Sequence, residues 1–144
     1  MASIRRINDQ ISVAPQLDPA DIVEAARAGF TTIVNNRPDD EEAGQPEGAA
    51  IRAVAETLNL AYHAIPITHA GFSGPQVEAM RAVLAAAEGP VLAYCRSGTR
   101  STNLWALAEA SRGQDPAGLV EAAAGAGYDL NGIRPILAQL SRKE

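Results

Sequence analysis

The sequence contains few of the residues that build disulfides, metal centres or aromatic clusters. Among 144 residues there is one cysteine, there are two histidines, and aromatic residues make up 4%. A lone cysteine cannot form an internal disulfide, so the chain does not require an oxidising compartment. One cysteine and two histidines spread along the chain do not form a credible zinc-binding set. We therefore expect no metal and no cofactor.

An excess of positive charge and a long hydrophobic run are also missing. The formal net charge is −5, so a sequence-independent grip on nucleic acid phosphates has no electrostatic basis. No segment approaches the roughly 20 consecutive apolar residues of a membrane span, and no signal-peptide pattern is recognisable. These absences predict a cytoplasmic protein that binds neither nucleic acid nor a membrane.

The composition is that of a globular protein. Hydrophobic residues make up 47% of the chain and charged residues 20%, far from the composition of disordered proteins. A chain of this length is large enough to bury a core and too short for two independent ones. We predict a single domain over residues 1–144.

Helix and strand signals alternate along the chain. Helix starts are indicated by Asp18 and Asp115, each followed by proline, and by Ser73 with a glutamine three residues later. Apolar runs predict strands at residues 30–34, 61–67 and 90–94, and residues 4–13 are β-prone. The last strand lacks polar alternation, as expected when both of its faces are buried. The pattern predicts an α/β sandwich in which helices flank a mostly parallel sheet.

The lone cysteine opens a short polar turn between the predicted strand 90–94 and a helix predicted from residue 101. The turn reads Cys95-Arg96-Ser97-Gly98-Thr99-Arg100-Ser101. Such a turn gathers backbone N–H groups at a helix N-terminus and binds an anion. Arg96 and Arg100 favour a thiolate at Cys95. A structural role for a small buried cysteine is the alternative, and the neighbouring arginines argue against it.

The remaining residues of the turn fit the same interpretation. Gly98 lets the backbone curl without a Cβ clash. The hydroxyls of Ser97, Thr99 and Ser101 can add hydrogen bonds to a bound anion. We therefore predict Cys95 and Arg100 as catalytic residues and the other turn residues as anion-binding ones.

The motif resembles known families. Cys-Arg-Ser-Gly-x-Arg-Ser after an apolar strand resembles the active loop of single-domain rhodaneses. Residues 33–39, 61–67, 89–95, 104–107 and 127–130 resemble the phosphatase-like domain of the bacterial beta-lactamase-hydrolase-like family, and this similarity extends over residues 4–140. It implies the fold of dual-specificity tyrosine phosphatases, a three-layer sandwich with a mostly parallel central sheet.

Two features depart from true tyrosine phosphatases. Those enzymes place five residues between cysteine and arginine, whereas four separate Cys95 from Arg100. They also carry an aspartate general acid after the preceding strand, where residues 67–71 here contain His69 and no carboxylate. His69, Asp39 or Asp40 could act as the acid, although the two aspartates could equally be solvated turn residues.

Two further residues, Arg37 and Tyr128, lie outside the turn. Arg37 follows a predicted buried strand and could add a third positive charge to the site, with a surface arginine as the alternative. Tyr128, with Asp129, is interpreted as a joint between a helix and a loop.

Three functions fit these observations. The main expectation is a sulfurtransferase, in which Cys95 takes sulfane sulfur from thiosulfate or a persulfide and passes it to a thiol such as glutathione. This reaction requires no general acid. The alternative is hydrolysis of a phosphomonoester through a phosphocysteine at Cys95. The third option is a non-catalytic module that binds an anion.

Overall fold

The fold alternates strands and helices, as predicted. The computed structural model of the chain describes residues 3–142, so the outermost residues of the predicted 1–144 unit lie outside the described part. The strands are β1 (Arg5–Arg6), β2 (Ile11–Ala14), β3 (Thr32–Asn35), β4 (Ala61–Ala64) and β5 (Val91–Tyr94). The helices are α1 (Pro19–Arg27), α2 (Gly48–Thr57), α3 (Gly74–Ala86), α4 (Thr99–Ser111), α5 (Pro116–Gly125) and α6 (Arg134–Ser141), with a 3-10 turn over Asn131–Ile133.

The strands form one sheet in the order β1-β2-β5-β3-β4. Strands β2, β5, β3 and β4 are parallel, and β1 pairs antiparallel with β2. The β-prone stretch 4–13 is therefore a hairpin rather than one strand. Asn8 makes its turn, because its side-chain oxygen accepts the backbone N–H groups of Gln10 and Ile11.

Helices cover both faces of the sheet, which gives three layers. Along β3, Ile33 faces α1 and α2, whereas Val34 faces α3, α4, α5 and α6. Strand β5 divides in the same way and is buried on both faces. The alternation of side chains along a strand therefore supplies both cores.

Helix α4 lies at the centre of one layer and packs against α3, α5 and α6. Nine of its thirteen residues are buried, so it lacks the polar face of a surface helix. It begins at Thr99, two residues earlier than predicted, because Gly98 adopts a left-handed conformation (φ 91°) as its N-cap.

The predicted caps are present. Asp18 and Ser73 both form capping boxes, and Asp115 caps α5 through its side chain. Within the described residues, no helix has the length and apolar composition needed to cross a membrane.

Candidate active site

Three parallel strands end side by side at the candidate site. Strand β5 lies between β2 and β3, so Cys95, the residue directly after β5, lies near the residues that follow its neighbours. Gln16 follows β2 and Arg37 follows β3. Parallel strands bring their carboxyl ends to one edge of a sheet, which is where α/β proteins place ligand sites. The geometry therefore gathers residues that are far apart in sequence.

Cys95 opens the active loop (residues 95–101) at the N-terminus of α4. The residue is completely buried, and its Sγ accepts a hydrogen bond from the Gly98 N–H at 3.1 Å. The Ser101 hydroxyl is also buried and has no hydrogen-bond partner among the described residues. The Thr102 hydroxyl donates to the Gly98 carbonyl oxygen at 2.8 Å and fixes the end of the loop. An N–H donor and the positive end of a helix dipole both favour negative charge on the sulfur.

Arg100 is held by an acidic residue that the sequence interpretation did not single out. Its Nη1 and Nη2 donate to the two carboxylate oxygens of Glu41 at 2.7 and 2.8 Å, and Nη1 also donates to the Ile67 carbonyl oxygen at 2.7 Å. The Glu41 hydrogen bonds raise the pKa of Arg100 above its ordinary value, burial opposes that rise, and the charge of Cys95 adds to it. Arg100 is thus fixed as a cation beside the cysteine.

Arg37 is a buried part of the same cluster, not a surface arginine. Its side chain is 2% exposed, and its Nε donates to Glu41 at 2.9 Å. Its Nη1 donates to Gln16 at 3.0 Å, and Nη2 lies 3.5 Å from Glu42. A buried guanidinium needs such partners to offset the loss of hydration.

Glu41 links the two arginines. The Arg100 hydrogen bond lowers the pKa of Glu41 to about 2; burial opposes this shift, and Arg37 reinforces it. Glu41 is therefore ionised across the physiological range. It belongs to the acidic loop (residues 38–47) and lies 59 positions before Arg100 in the sequence.

Arg96 and the exposed loop hydroxyls contact protein groups, and their predicted role in anion binding remains a prediction. Arg96 is exposed and lies 3.4 Å from Glu42 of the acidic loop. The exposed Ser97 hydroxyl donates to Thr99 Oγ1 at 3.0 Å. Three arginines of the cluster thus face two carboxylates, Glu41 and Glu42, which leaves one net positive charge before the thiolate is counted.

The three predicted acids lie on loops around this cluster. Asp39 accepts the Gly48 N–H at 2.8 Å and lines a cavity of about 280 Å³ beside Arg37. Asp40 is exposed in a left-handed conformation (φ 62°), and His69 is exposed in the turn after β4. None of the hydrogen bonds described for these three side chains joins them to Cys95 or Arg100. Their role as a proton donor remains a prediction.

Tyr128 is a second contact that the sequence interpretation missed. It lies between α5 and the 3-10 turn, as predicted, and its hydroxyl also donates to the Ser97 carbonyl oxygen at 3.0 Å, 31 residues away. In the described part of the chain, no three His, Cys, Asp or Glu side chains converge in a way that could hold a metal ion.

Comparison with known proteins identifies a family whose model matches most of this chain. Residues 3–112 match the family described as beta-lactamase hydrolase-like protein, phosphatase-like domain. The beta-lactamase hydrolase-like protein of Xylella fastidiosa is 36% identical over 125 residues, which are 86% of this chain and 29% of that protein. The chain thus spans less than a third of the length of the curated relatives that it matches.

Solved structures agree on the fold. A crystal structure from Neisseria meningitidis, described as a candidate phosphatase, is 36% identical with a TM-score of 0.82, over 95% of this chain and 97% of that one. P. aeruginosa TpbA, solved in complex with phosphotyrosine, is 20% identical with a TM-score of 0.59, over 94% of this chain and 90% of that one. The predicted tyrosine-phosphatase-like sandwich is confirmed.

Proposed function

Because this chain belongs to the phosphatase-like domain family of beta-lactamase hydrolase-like proteins, we propose that it is a cysteine-dependent phosphatase that hydrolyses aryl phosphomonoesters. Sulfur transfer was the main expectation from the sequence. The comparisons favour the alternative, since the Neisseria relative matches this chain over almost its whole length and is described as a candidate phosphatase. A cytoplasmic location is part of the same proposal.

One observation supports the proposal most directly. A guanidinium has five N–H donors, and Arg100 uses three of them on Glu41 and Ile67. The Nε–H and the second Nη2–H remain, and these two lie side by side in the fork that binds two phosphate oxygens. Glu41 and Ile67 thus fix the guanidinium plane without occupying this fork. Cys95 lies close enough to Arg100 to influence its pKa.

The proposed reaction has two steps. Cys95 Sγ attacks phosphorus in line with the ester oxygen, the P–S bond forms, and the P–O bond breaks with departure of the phenolate. Water then attacks phosphorus, the P–S bond breaks, and inorganic phosphate leaves. The Gly98 N–H stabilises the attacking and departing thiolate, and the remaining Arg100 fork stabilises the charge on the transferred group.

The substrate class follows from the proton donors, because none of the three candidates is hydrogen-bonded to Cys95 or Arg100. An alkyl phosphate releases a strongly basic alkoxide, which needs a positioned proton donor. A phenolate is less basic and leaves more easily without one. We therefore assign aryl phosphate esters as the preferred substrates, with phosphotyrosine as the biological example. His69, Asp39 or Asp40 are the candidate proton donors for alkyl esters, which react more slowly.

Sulfur transfer is the second candidate, because of the charge balance at the site. Glu41 and Glu42 leave only one net positive charge among the three arginines. Together with the thiolate, such a site is neutral and attracts a phosphate dianion weakly. The shorter spacing of four residues between Cys95 and Arg100 also suits a small group such as a single sulfur atom.

The two candidates leave different groups on Cys95. Incubation with an aryl phosphate, followed by acid quench and intact-mass analysis, should show a phosphoryl adduct and a burst of phenol. Cys95→Ser should abolish both. A sulfur adduct after incubation with thiosulfate, together with no phenol release from the ester, would overturn the phosphatase proposal in favour of sulfur transfer.

A further inference from the structure

The peptide group between Ser97 and Gly98 is hydrogen-bonded at both ends. Its N–H donates to Cys95 Sγ at 3.1 Å, and its carbonyl oxygen accepts the Tyr128 hydroxyl at 3.0 Å. The phenol, the peptide and the sulfur therefore form one chain of hydrogen bonds. Donation to a carbonyl oxygen polarises the amide and strengthens its N–H as a donor.

In an alternative, rotated orientation, this peptide would destabilise a thiolate at Cys95. Gly98 has a φ of 91°, a conformation in which glycine, having no side chain, leaves the preceding peptide free to rotate. A rotated peptide would turn the Ser97 carbonyl oxygen toward the sulfur and its N–H away. That arrangement places a negative dipole end beside a thiolate. Something must therefore select the orientation observed.

Tyr128 is held firmly enough to make that selection. Its backbone N–H donates to the Ala123 carbonyl oxygen of α5 at 2.9 Å, and the neighbouring Ala126 carbonyl accepts Arg5 from β1 at 3.3 Å. The phenol is half-buried against Gly98, where a Cβ atom would overlap its hydroxyl. Burial raises the pKa of Tyr128, Arg5 opposes the rise, and the charge of Cys95 adds to it, so the hydroxyl keeps its proton.

We infer that Tyr128 is a positioning residue of the active loop, whose hydroxyl holds the Ser97–Gly98 peptide in the orientation that directs the Gly98 N–H at Cys95 Sγ. Tyr128 lies outside residues 3–112, the part of the chain that matches the family. The inference rests on the proposed role of Cys95 as the nucleophile. It applies equally whether phosphate or sulfur is transferred.

Tyr128→Phe tests the inference, because it removes the hydroxyl and keeps the ring. Tyr62→Phe is the matched control: its hydroxyl accepts a side-chain N–H from Asn35 at 3.0 Å, and no described hydrogen bond joins it to residues 95–101. The first readout is the ultraviolet absorbance of the thiolate followed over a pH titration, with each protein compared with its own Cys95→Ser form. The chain has one cysteine, so the difference reports Cys95 alone.

We expect the ionisation constant of Cys95, read from the pH titration of the thiolate absorbance, and kcat for an aryl phosphate to fall about 3- to 10-fold in Tyr128→Phe, as for the loss of one hydrogen bond, with a smaller change in KM. The Gly98 amide proton resonance should also move upfield. Tyr62→Phe should resemble the wild type in all three measurements.

An unchanged thiolate titration and an unchanged Gly98 resonance in a folded Tyr128→Phe would overturn the inference. Should that variant fold poorly, a comparison that keeps Tyr128 decides the question: Cys95→Ser must shift the Gly98 resonance relative to the wild type, and no shift would contradict the hydrogen-bond chain. Neither spectroscopic readout uses a substrate. Failure of the phosphatase proposal would instead appear as missing phenol release from a wild type with an intact thiolate signal.

Discussion

At the scale of single residues, the proposed reaction depends on guanidinium groups whose donors are shared between protein and substrate. Arg100 donates three N–H groups to Glu41 and Ile67, and two N–H groups remain for an anion. An ammonium group has three donors and no planar fork. The function of Arg100 therefore depends on the shape of its side chain as much as on its charge.

Arg100→Lys should reduce turnover on the order of 10²-fold, comparable to the loss of an oxyanion donor. Lysine keeps the charge but cannot bind Glu41, Ile67 and two phosphate oxygens at once. Steady-state kinetics with an aryl phosphate measure the effect. Arg81→Lys is the control, because Arg81 lies 3.3 Å from Glu78 in an exposed pair. Similar turnover in Arg100→Lys and the wild type would show that the fork does not touch the substrate.

Glu41→Gln should lower the free energy of unfolding by about 1–3 kcal/mol, the typical cost of leaving buried donors without a charged acceptor. Arg37 has a side-chain exposure of 2%, so water cannot easily replace the carboxylate. Urea denaturation near neutral pH measures the change. Glu78→Gln, at a side chain that is 72% exposed, should cost less than about 0.5 kcal/mol.

The stabilisation by Glu41 should depend on pH in a defined direction. Its pKa falls from an ordinary 4.5 to about 2 on folding, so the folded state binds its proton less readily than the unfolded state. The contribution is complete above pH 4.5 and is lost as the pH falls toward 2. The difference in unfolding free energy between wild type and Glu41→Gln should therefore shrink over this interval. A difference that stays constant would show that Glu41 is not ion-paired in solution.

At the scale of elements, the junction between the active loop and α4 concentrates two constraints on Gly98. The residue is left-handed, and Tyr128 fills the space where a Cβ would lie. Gly29, at the end of α1, is also left-handed (φ 98°) but has open space around it. Alanine substitutions at Gly98 and Gly29 therefore separate the stability cost of backbone strain from the cost of steric crowding.

Gly98→Ala should cost about 2–4 kcal/mol, since left-handed strain and overpacking add. Gly29→Ala should cost only about 1–2 kcal/mol, from backbone strain alone. Thermal or urea unfolding gives both values. Turnover should survive in Gly29→Ala and be lost in Gly98→Ala. Equal stability losses in the two variants would mean that the Tyr128 side chain moves aside without a further loss of unfolding free energy.

The same junction shows what the sequence could and could not predict. The helix starts at Asp18, Ser73 and Asp115 were predicted correctly because capping is a local interaction between neighbouring residues. The position of Cys95 between a buried strand and a helix was predicted for the same reason. Pairings such as Glu41 with Arg100 depend on which loops the sheet order brings together, and no local pattern encodes them.

At the scale of the whole molecule, the core extends beyond the part that matches the family. That match ends at residue 112, whereas α5 and α6 bury one side of α4. Leu137 of α6 is completely buried, and its neighbour Ile136 is 49% exposed. The C-terminal helices are therefore part of what supports the active loop.

Leu137→Ala should lower the free energy of unfolding by about 2–5 kcal/mol, from lost burial and the cavity left behind. Ile136→Ala should change it by less than about 0.5 kcal/mol, as for an exposed site. Urea denaturation compares the two. Equal effects would mean that α6 does not pack on α4 in solution.

The complete burial of Cys95 also bears on its chemistry with oxidants. Oxidation of a thiol to sulfenic and sulfinic acids depends on thiolate character and on exposure together. Cys95 has no exposed surface in the resting protein, so the second of these conditions is not met. Peroxide should therefore attack the resting protein slowly, and the sole thiol of the chain should survive oxidative stress that would inactivate an open cysteine site.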